Sequence, residues 1–398
     1  MLTQQNKVDS LLCKIMFSLA AGIVVTQTLG LEQFTSWLFL LTFPLTVFLW
    51  LRTIRKTVIV TDVLLLATIA LAVVNVLINA SITGVFPGFS YLKKVIMFAT
   101  TLLFFQAASR SGIRGELVRF INTLVDGLVI YFIIIYFVLN IHTYEIDGRI
   151  STYLTFRFSN PNLTAMFLIC LYMLEVYRLF TREKWYLKAL HIIMAVFLTW
   201  FIFQTRSRNA MIVFALFTAA CAWLIFRGKS NLRVGKFWAA VVATLPATFV
   251  GFYYLMIYTP GIRKAFDFLV SEGKGLDSRI GIWNMGLREW MQSPILGAYS
   301  QLSKGSGMFQ MHNSHVDIIC SYGPVVLVLV CILLWRYLNQ KDRLYTDKSS
   351  YIYILGFAGA IILGMGEAAL FSGGIGVYIF AGSFLMLANY RGEEEQPE

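Results

Sequence analysis

Apolar residues follow one another in long, nearly unbroken runs, and twelve of these runs read as bilayer-crossing helices: 11–29, 34–51, 58–78, 95–108, 118–139, 161–180, 186–204, 209–226, 237–258, 316–335, 351–371 and 373–390. A spanning helix takes about 20 mostly apolar residues, because each backbone N–H and C=O must find its partner inside the segment. The expected fold class is therefore all-α, a polytopic membrane protein with about 12 transmembrane helices. The chain reads as a single integral membrane domain over 1–398, with one large, partly helical loop at 259–315 between the ninth and tenth runs. The first run has no small-residue cleavage site and eleven more follow it, which argues against a cleaved signal peptide. A very tight Gly-rich turn separates the last two.

Composition sharpens this. Of the 398 residues 58% are hydrophobic and only 14% charged, where a soluble domain carries about 25% charged residues. Disorder would need low hydrophobicity. Lys and Arg number 33 against 21 Asp and Glu, a net charge of +12. In a soluble protein that excess would suggest nucleic acid. Here the cations cluster between apolar runs, around 52–56, 110–119, 178–188, 227–236 and 336–348, in every second connection. That places both termini in the cytoplasm, and no nucleic-acid partner is expected. The five cysteines (Cys13, Cys170, Cys221, Cys320 and Cys331) lie in or beside apolar runs without a CxxC, so neither a disulfide framework nor a zinc site is indicated.

One short connection breaks the charge rule, and the long external segment is exempt from it because long loops translocate regardless of charge. The short turn at 205–208 faces outward yet carries Arg206 and Arg208 with no acid beside them. Snorkelling to headgroups and an anion site are the two readings. In the long external segment, Ile280, Trp283, Leu287, Trp290 and Met291 recur at helical spacing, with Asn284, Arg288 and Gln292 opposite, Ser278 as N-cap and Ser293-Pro294 as stop. This predicts an amphipathic helix on the outer membrane surface with its tryptophans at headgroup depth and Arg279 in its first turn, where an anion is favoured.

Chemistry gathers at the same face. His312 and His315 stand where the external segment re-enters the membrane, and a histidine can take and release a proton near neutral pH. His142 and His191 lack such company and read as structural. A base beside fixed cations, without a DxD or a Gly-rich nucleotide loop, suits transfer from a diphosphate-linked donor. Guanidinium groups would hold the diphosphate while the base takes a proton from the attacking hydroxyl. No metal ligand set and no cofactor is expected; Glu145 with Asp147 reads as a solvated loop, and Asp317 could either orient an imidazole or cap a helix.

The motifs Phe203-Gln204-Thr205-Arg206-Ser207-Arg208-Asn209-Ala210, Ser278-Arg279-Ile280-Gly281-Ile282-Trp283, Ser293-Pro294-Ile295-Leu296-Gly297 and His312-Asn313 with Gly323, in that order, resemble the O-antigen polymerase and O-antigen ligase superfamily. The twelve-span layout with a large loop between spans nine and ten is similar to that family too. The resemblance implies a metal-independent, inverting, membrane-embedded type C glycosyltransferase of the bacterial inner membrane, its site facing the periplasm and its donor an undecaprenyl diphosphate-linked oligosaccharide. It implies His312 as the catalytic base or the acceptor-positioning histidine, with Arg208 and Arg279 on the diphosphate. Arg206, Arg157, Asn313, His315 and Arg288 are the candidate substrate-binding residues, and membrane lipids and a chain-length regulator protein the further candidate partners.

The element Arg157-Phe158-Ser159-Asn160-Pro161-Asn162 resembles one common in the polymerases, which extend a lipid-linked repeat unit. A ligase would instead load lipid A core. A third reading, a lipid-linked oligosaccharide flippase or other transporter, would place ionisable residues at the midplane and repeat its two halves. Asp62, Asp126, Glu175 and Glu367 are the in-span acids, and the halves do not match.

Overall fold

The computed structural model describes residues 2–55, 57–85, 89–111, 115–143, 145–146, 149–150, 153–158, 160–181, 184–227, 234–261, 276–298, 311–339, 348–372 and 377–388. Its helices are α1 (Leu2–Thr28), α2 (Glu32–Ile54), α3 (Val60–Thr83), α4 (Phe89–Arg110), α5 (Gly115–Phe137), α6 (Pro161–Thr181), α7 (Trp185–Gln204), α8 (Arg208–Phe226), α9 (Lys236–Tyr258), α10 (Leu276–Gln292), α11 (Ser314–Tyr322), α12 (Pro324–Leu338), α13 (Lys348–Leu363), α14 (Ala369–Ser372) and α15 (Val377–Leu387). Two dipeptide strands, β1 (Glu145–Ile146) and β2 (Arg149–Ile150), pair antiparallel between α5 and α6. Among the described residues, nine helices are long and apolar enough to cross a membrane, and Pro324–Leu338, Tyr351–Leu363 and Val377–Leu387 are shorter apolar helices. The architecture is helical and polytopic.

Two of the expected spans are not continuous. The tenth run divides into α11 and α12 at Gly323, whose φ is +88°. A side chain there would put its Cβ 2.1 Å from the Ile295 carbonyl oxygen, so glycine is needed both for the backbone angle and for the approach of 295–297. Pro324, with its fixed φ and no N–H to satisfy, restarts the helix. The eleventh run stops at Leu363, leaves residues 364–368 outside any helix and resumes in α14. Hydropathy does not register either interruption, because each falls inside a run whose average stays apolar.

Lipid tails are as apolar as leucine, so helices in a bilayer associate by close packing and polar contacts. Among the nine long helices the most interior is α6: 89% of its most apolar stretch is buried, against 28% for α8 and α9. It packs on α7, α8, α13 and α15. Gly359 of α13 lets it approach so closely that an added Cβ would meet Met173 Cε of α6 at 2.5 Å. At one end of the bundle cations meet acids: Arg52 on α2 pairs with Asp9 on α1, Arg110 on α4 with Asp62 on α3, and Lys14 with Glu116 at 3.5 Å. Arg178, which the charge pattern places among loop cations, is instead a buried residue of α6. The opposite end carries the residues considered next.

Candidate functional site

Every described non-glycine residue with positive φ lies in a connection at this second end: Asn140, Phe156 and Arg157 between α5 and α6, Arg206 between α7 and α8, and His312 just ahead of α11. Such backbone costs an L residue about 1–3 kcal/mol and persists where the surroundings impose it, often at functional sites. Around Arg157 the imposing group is Phe156, buried against Phe132 and Phe201 at ring-centroid distances of 4.8 and 5.3 Å. With Phe156 inserted, Arg157 is left exposed. The Leu154 N–H donates to the Gln204 carbonyl at 3.2 Å, laying this loop beside the arginine turn. There the Arg206 guanidinium sits over the Tyr153 ring, 5.4 Å from its centroid. Ser207 caps α8, and Arg208, exposed, is its first residue. Arg157, Arg206 and Arg208 thus belong to one surface.

His312 is 30% exposed, and its Nδ1 lies 2.9 Å from Oε2 of Glu367, a side chain only 1% exposed. The other carboxylate oxygen, Oε1, accepts from Asn162 Nδ2 at 2.9 Å and Asn160 Nδ2 at 3.3 Å. Asn160 also accepts the Asn162 N–H at 2.8 Å, so the Asn-Pro-Asn element is the N-terminus of α6, with its cap and with proline in the first turn. Glu367 therefore joins two sequence motifs that are far apart in the chain.

The non-helical segment 364–368 is the hub of this end. Open carbonyls at membrane depth need donors. Asn209, next to Arg208, donates to the Leu363 carbonyl at 2.7 Å; the Ser314 N–H donates to that of Gly364 at 2.8 Å; and Asn313 Nδ2 donates to Met365 O at 3.1 Å and Pro246 O at 2.8 Å. An added Cβ on Gly366 would lie 2.8 Å from Asn209 Nδ2. The arginine turn and His312 are thus fastened to one short piece of backbone. Asn313 is fully buried, and its Oδ1 also accepts the His315 and Val316 N–H groups at 3.0 Å each, capping α11.

That cap settles Asp317. It neither orients an imidazole nor caps the helix: its Oδ1 takes Lys94 Nζ at 2.8 Å and the Met311 N–H at 3.2 Å. His315, grouped above with the substrate-binding residues, is buried, with Nε2 2.8 Å from Ala243 O and Nδ1 3.3 Å from Ser314 Oγ. Its ring ties α11 to α9.

The amphipathic helix exists as α10, but most of its apolar face meets protein, with Met291 left exposed. Trp283 is fully buried rather than at headgroup depth, and its Nε1 donates to the Met311 carbonyl at 2.7 Å. The helix also begins at Leu276, which makes Ser278 an internal residue. Arg288 is exposed on its far face. The side chain of Arg279 lies outside the described residues, as do residue 147 and the side chain of Glu145. The Ser293-Pro294 stop and Gly297 come back to Gly323: the Ala298 N–H donates to Cys320 O at 2.7 Å, and Asn79 of α3 donates to Gly297 O at 2.8 Å.

A second polar cluster lies away from this end, inside the bundle. Arg178 pairs with Asp126 on α5 and, at 3.2 Å, with Glu175 Oε1; His191 on α7 faces Glu175 Oε2 at 2.9 Å. The donor atoms of Asp126, Glu175 and His191 lie within 4.8 Å of one another, as a metal site would require. Arg178 already donates to both carboxylates, so the place of a cation is taken by a guanidinium. His142 stacks on Tyr136 at 4.1 Å and bonds its carbonyl.

Sequence reasoning singled out His312, Arg206, Arg208 and Arg157, and three of the four stand on strained backbone here. It missed Glu367 as their neighbour. The available signal was an acid in a membrane span, which is costly without a partner or a role. Neither protein-family models nor curated proteins gave a match to this chain.

Proposed function

We propose that this protein is a membrane-embedded glycosyltransferase that extends a surface polysaccharide, moving a glycan from an undecaprenyl diphosphate-linked donor onto a lipid-linked repeat-unit acceptor. The observation that carries the reading is the convergence on segment 363–368: His312 and the Arg206–Arg208 turn, from separate connections, are both bound to it. Guanidinium groups recognise diphosphate through paired N–H donors and stabilise the charge that grows as it leaves. The acceptor oxygen attacks the anomeric carbon, the bond from that carbon to the diphosphate oxygen breaks with its electron pair on the diphosphate, and the hydroxyl proton passes to His312. Attack opposite the leaving group inverts the anomeric centre. Tyr153, partly exposed beside Arg206, offers a ring face to a sugar.

On this reading the three shorter helices complete twelve crossings, the paired-charge end is cytoplasmic, and the site opens to the periplasm of the bacterial inner membrane. The in-span acids Asp62, Asp126, Glu175 and Glu367 each hold a basic partner, which suits a scaffold and a site better than a transport path. The deciding experiment supplies purified protein with lipid diphosphate-linked repeat units alone. Longer glycans are the expected result. Transfer only when lipid A core is added would make it a ligase, and no transfer under either condition would end the proposal.

A further inference from the structure

Glu367 is buried, acidic and in contact with the candidate base, and the transfer reading gave it no work. A carboxylate only accepts hydrogen bonds, so the His312 nitrogen 2.9 Å from it carries the proton, and Nε2 is left as the ring's acceptor. The second carboxylate oxygen is held by the amides of Asn160 and Asn162. Both arms of the group therefore receive donors. Glutamine has the same shape but would turn an NH2 toward either His312 or the asparagine pair, a donor facing a donor. The backbone around His312 is fixed independently, by Trp283 on the Met311 carbonyl and Asp317 on the Met311 N–H, so the ring orientation is the remaining freedom, and Glu367 removes it.

We propose that Glu367 is the positioning residue of this site, resting on the transferase reading above. It selects the Nδ1–H tautomer of His312, so that Nε2 takes the proton of the attacking hydroxyl while the new glycosidic bond forms and the diphosphate departs with the old bond's electrons. The resulting imidazolium keeps its Nδ1–H on Glu367, whose charge balances it, and returns the Nε2 proton to water. Asn160 and Asn162 keep the carboxylate from swinging away. The Asn-Pro-Asn element thereby acts through Glu367 on the base.

The test uses the full-length protein in nanodiscs with lipid diphosphate-linked repeat units, comparing wild type, Glu367→Gln and Glu367→Asp. A lost general base costs about 10²–10⁴ in rate, so Glu367→Gln is expected to lower kcat by at least about 100-fold with KM changed by less than about threefold, and Glu367→Asp, still an acceptor on both arms, to recover part of it. A second readout follows the ring nitrogens by NMR on protein labelled with 15N-histidine, the His312 signals being those lost in His312→Gln. Wild type should show neutral His312 protonated at Nδ1, and Glu367→Gln should shift it toward Nε2–H. Wild-type kcat in Glu367→Gln, or an Nε2–H ring in wild type, overturns the proposal. Failure of the wild type to transfer any glycan would sink the transferase reading instead, and the NMR comparison would still decide whether Glu367 sets the tautomer.

Discussion

Two histidine–glutamate pairs of the same length, 2.9 Å, occur in different parts of this protein, and their surroundings give them opposite characters. In one, His191 and Glu175 are 2% and 0% exposed, and the free arm of the carboxylate faces Arg178. In the other, His312 is 30% exposed and the second arm of Glu367 accepts from two neutral amides. A guanidinium neutralises an acid and locks three helices together; an amide aims a carboxylate without neutralising it. Distance alone would call the pairs equivalent. What the second arm touches, and whether the ring reaches the surface, separates a cross-brace from a pair that the proposed transfer can use.

The sharpest way to break that contrast is to remove the guanidinium. Arg178→Leu leaves Asp126 and Glu175 without their common cation inside the bundle, which should cost about 3–5 kcal/mol. Thermal unfolding of the protein in detergent would show it as a large fall in midpoint, and an unchanged midpoint would refute the brace. Next in size is His312→Ala. Glycan extension should drop at least about 100-fold while stability stays within about 1 kcal/mol, so activity lost together with membrane content would speak for mere packing. Arg208→Lys keeps a charge but not the planar fork. Losing one charge-assisted hydrogen bond should slow transfer roughly tenfold, and wild-type kinetics would favour headgroup snorkelling. The smallest change is expected from His191→Gln, which can still donate to Glu175. Melting should shift by less than about 1 kcal/mol with transfer intact, and a drop like that of His312→Ala would erase the distinction between the pairs.

Much of the fold was legible because membrane helices announce themselves by apolar length. The first nine runs appear as nine helices, and α4 even extends beyond its apolar stretch at both ends, because Lys93 and Lys94 lie along the bundle and Lys94 finds Asp317. The interruptions at Gly323 and at 364–368 were not legible. The first lies in the Gly323-Pro324 pair, which a count of apolar length passes over; the second rests on side-chain donors on other helices, and no local pattern encodes a partner more than 150 residues away, as Asn209 is from Leu363. Trp283 failed for a related reason: an amphipathic period says that one face is covered and is silent on whether lipid or protein covers it. In the site, residue chemistry singled out His312 and the exposed arginines, whereas Glu367 looked like any in-span acid until the fold brought Asn160, Asn162 and His312 around it.

The hub at 363–368 also fixes when the site can come into being. During synthesis Arg157, Arg206, Arg208 and His312 all emerge before α13, yet the backbone that fastens Asn209 and Ser314, and the acid bonded to His312, arrive only with the last residue of α13 and those that follow it. A chain halted at Tyr351 would display all of those arginines without the backbone that fastens Asn209 and Ser314, so on the proposed function the site is complete only once the last helices have been inserted.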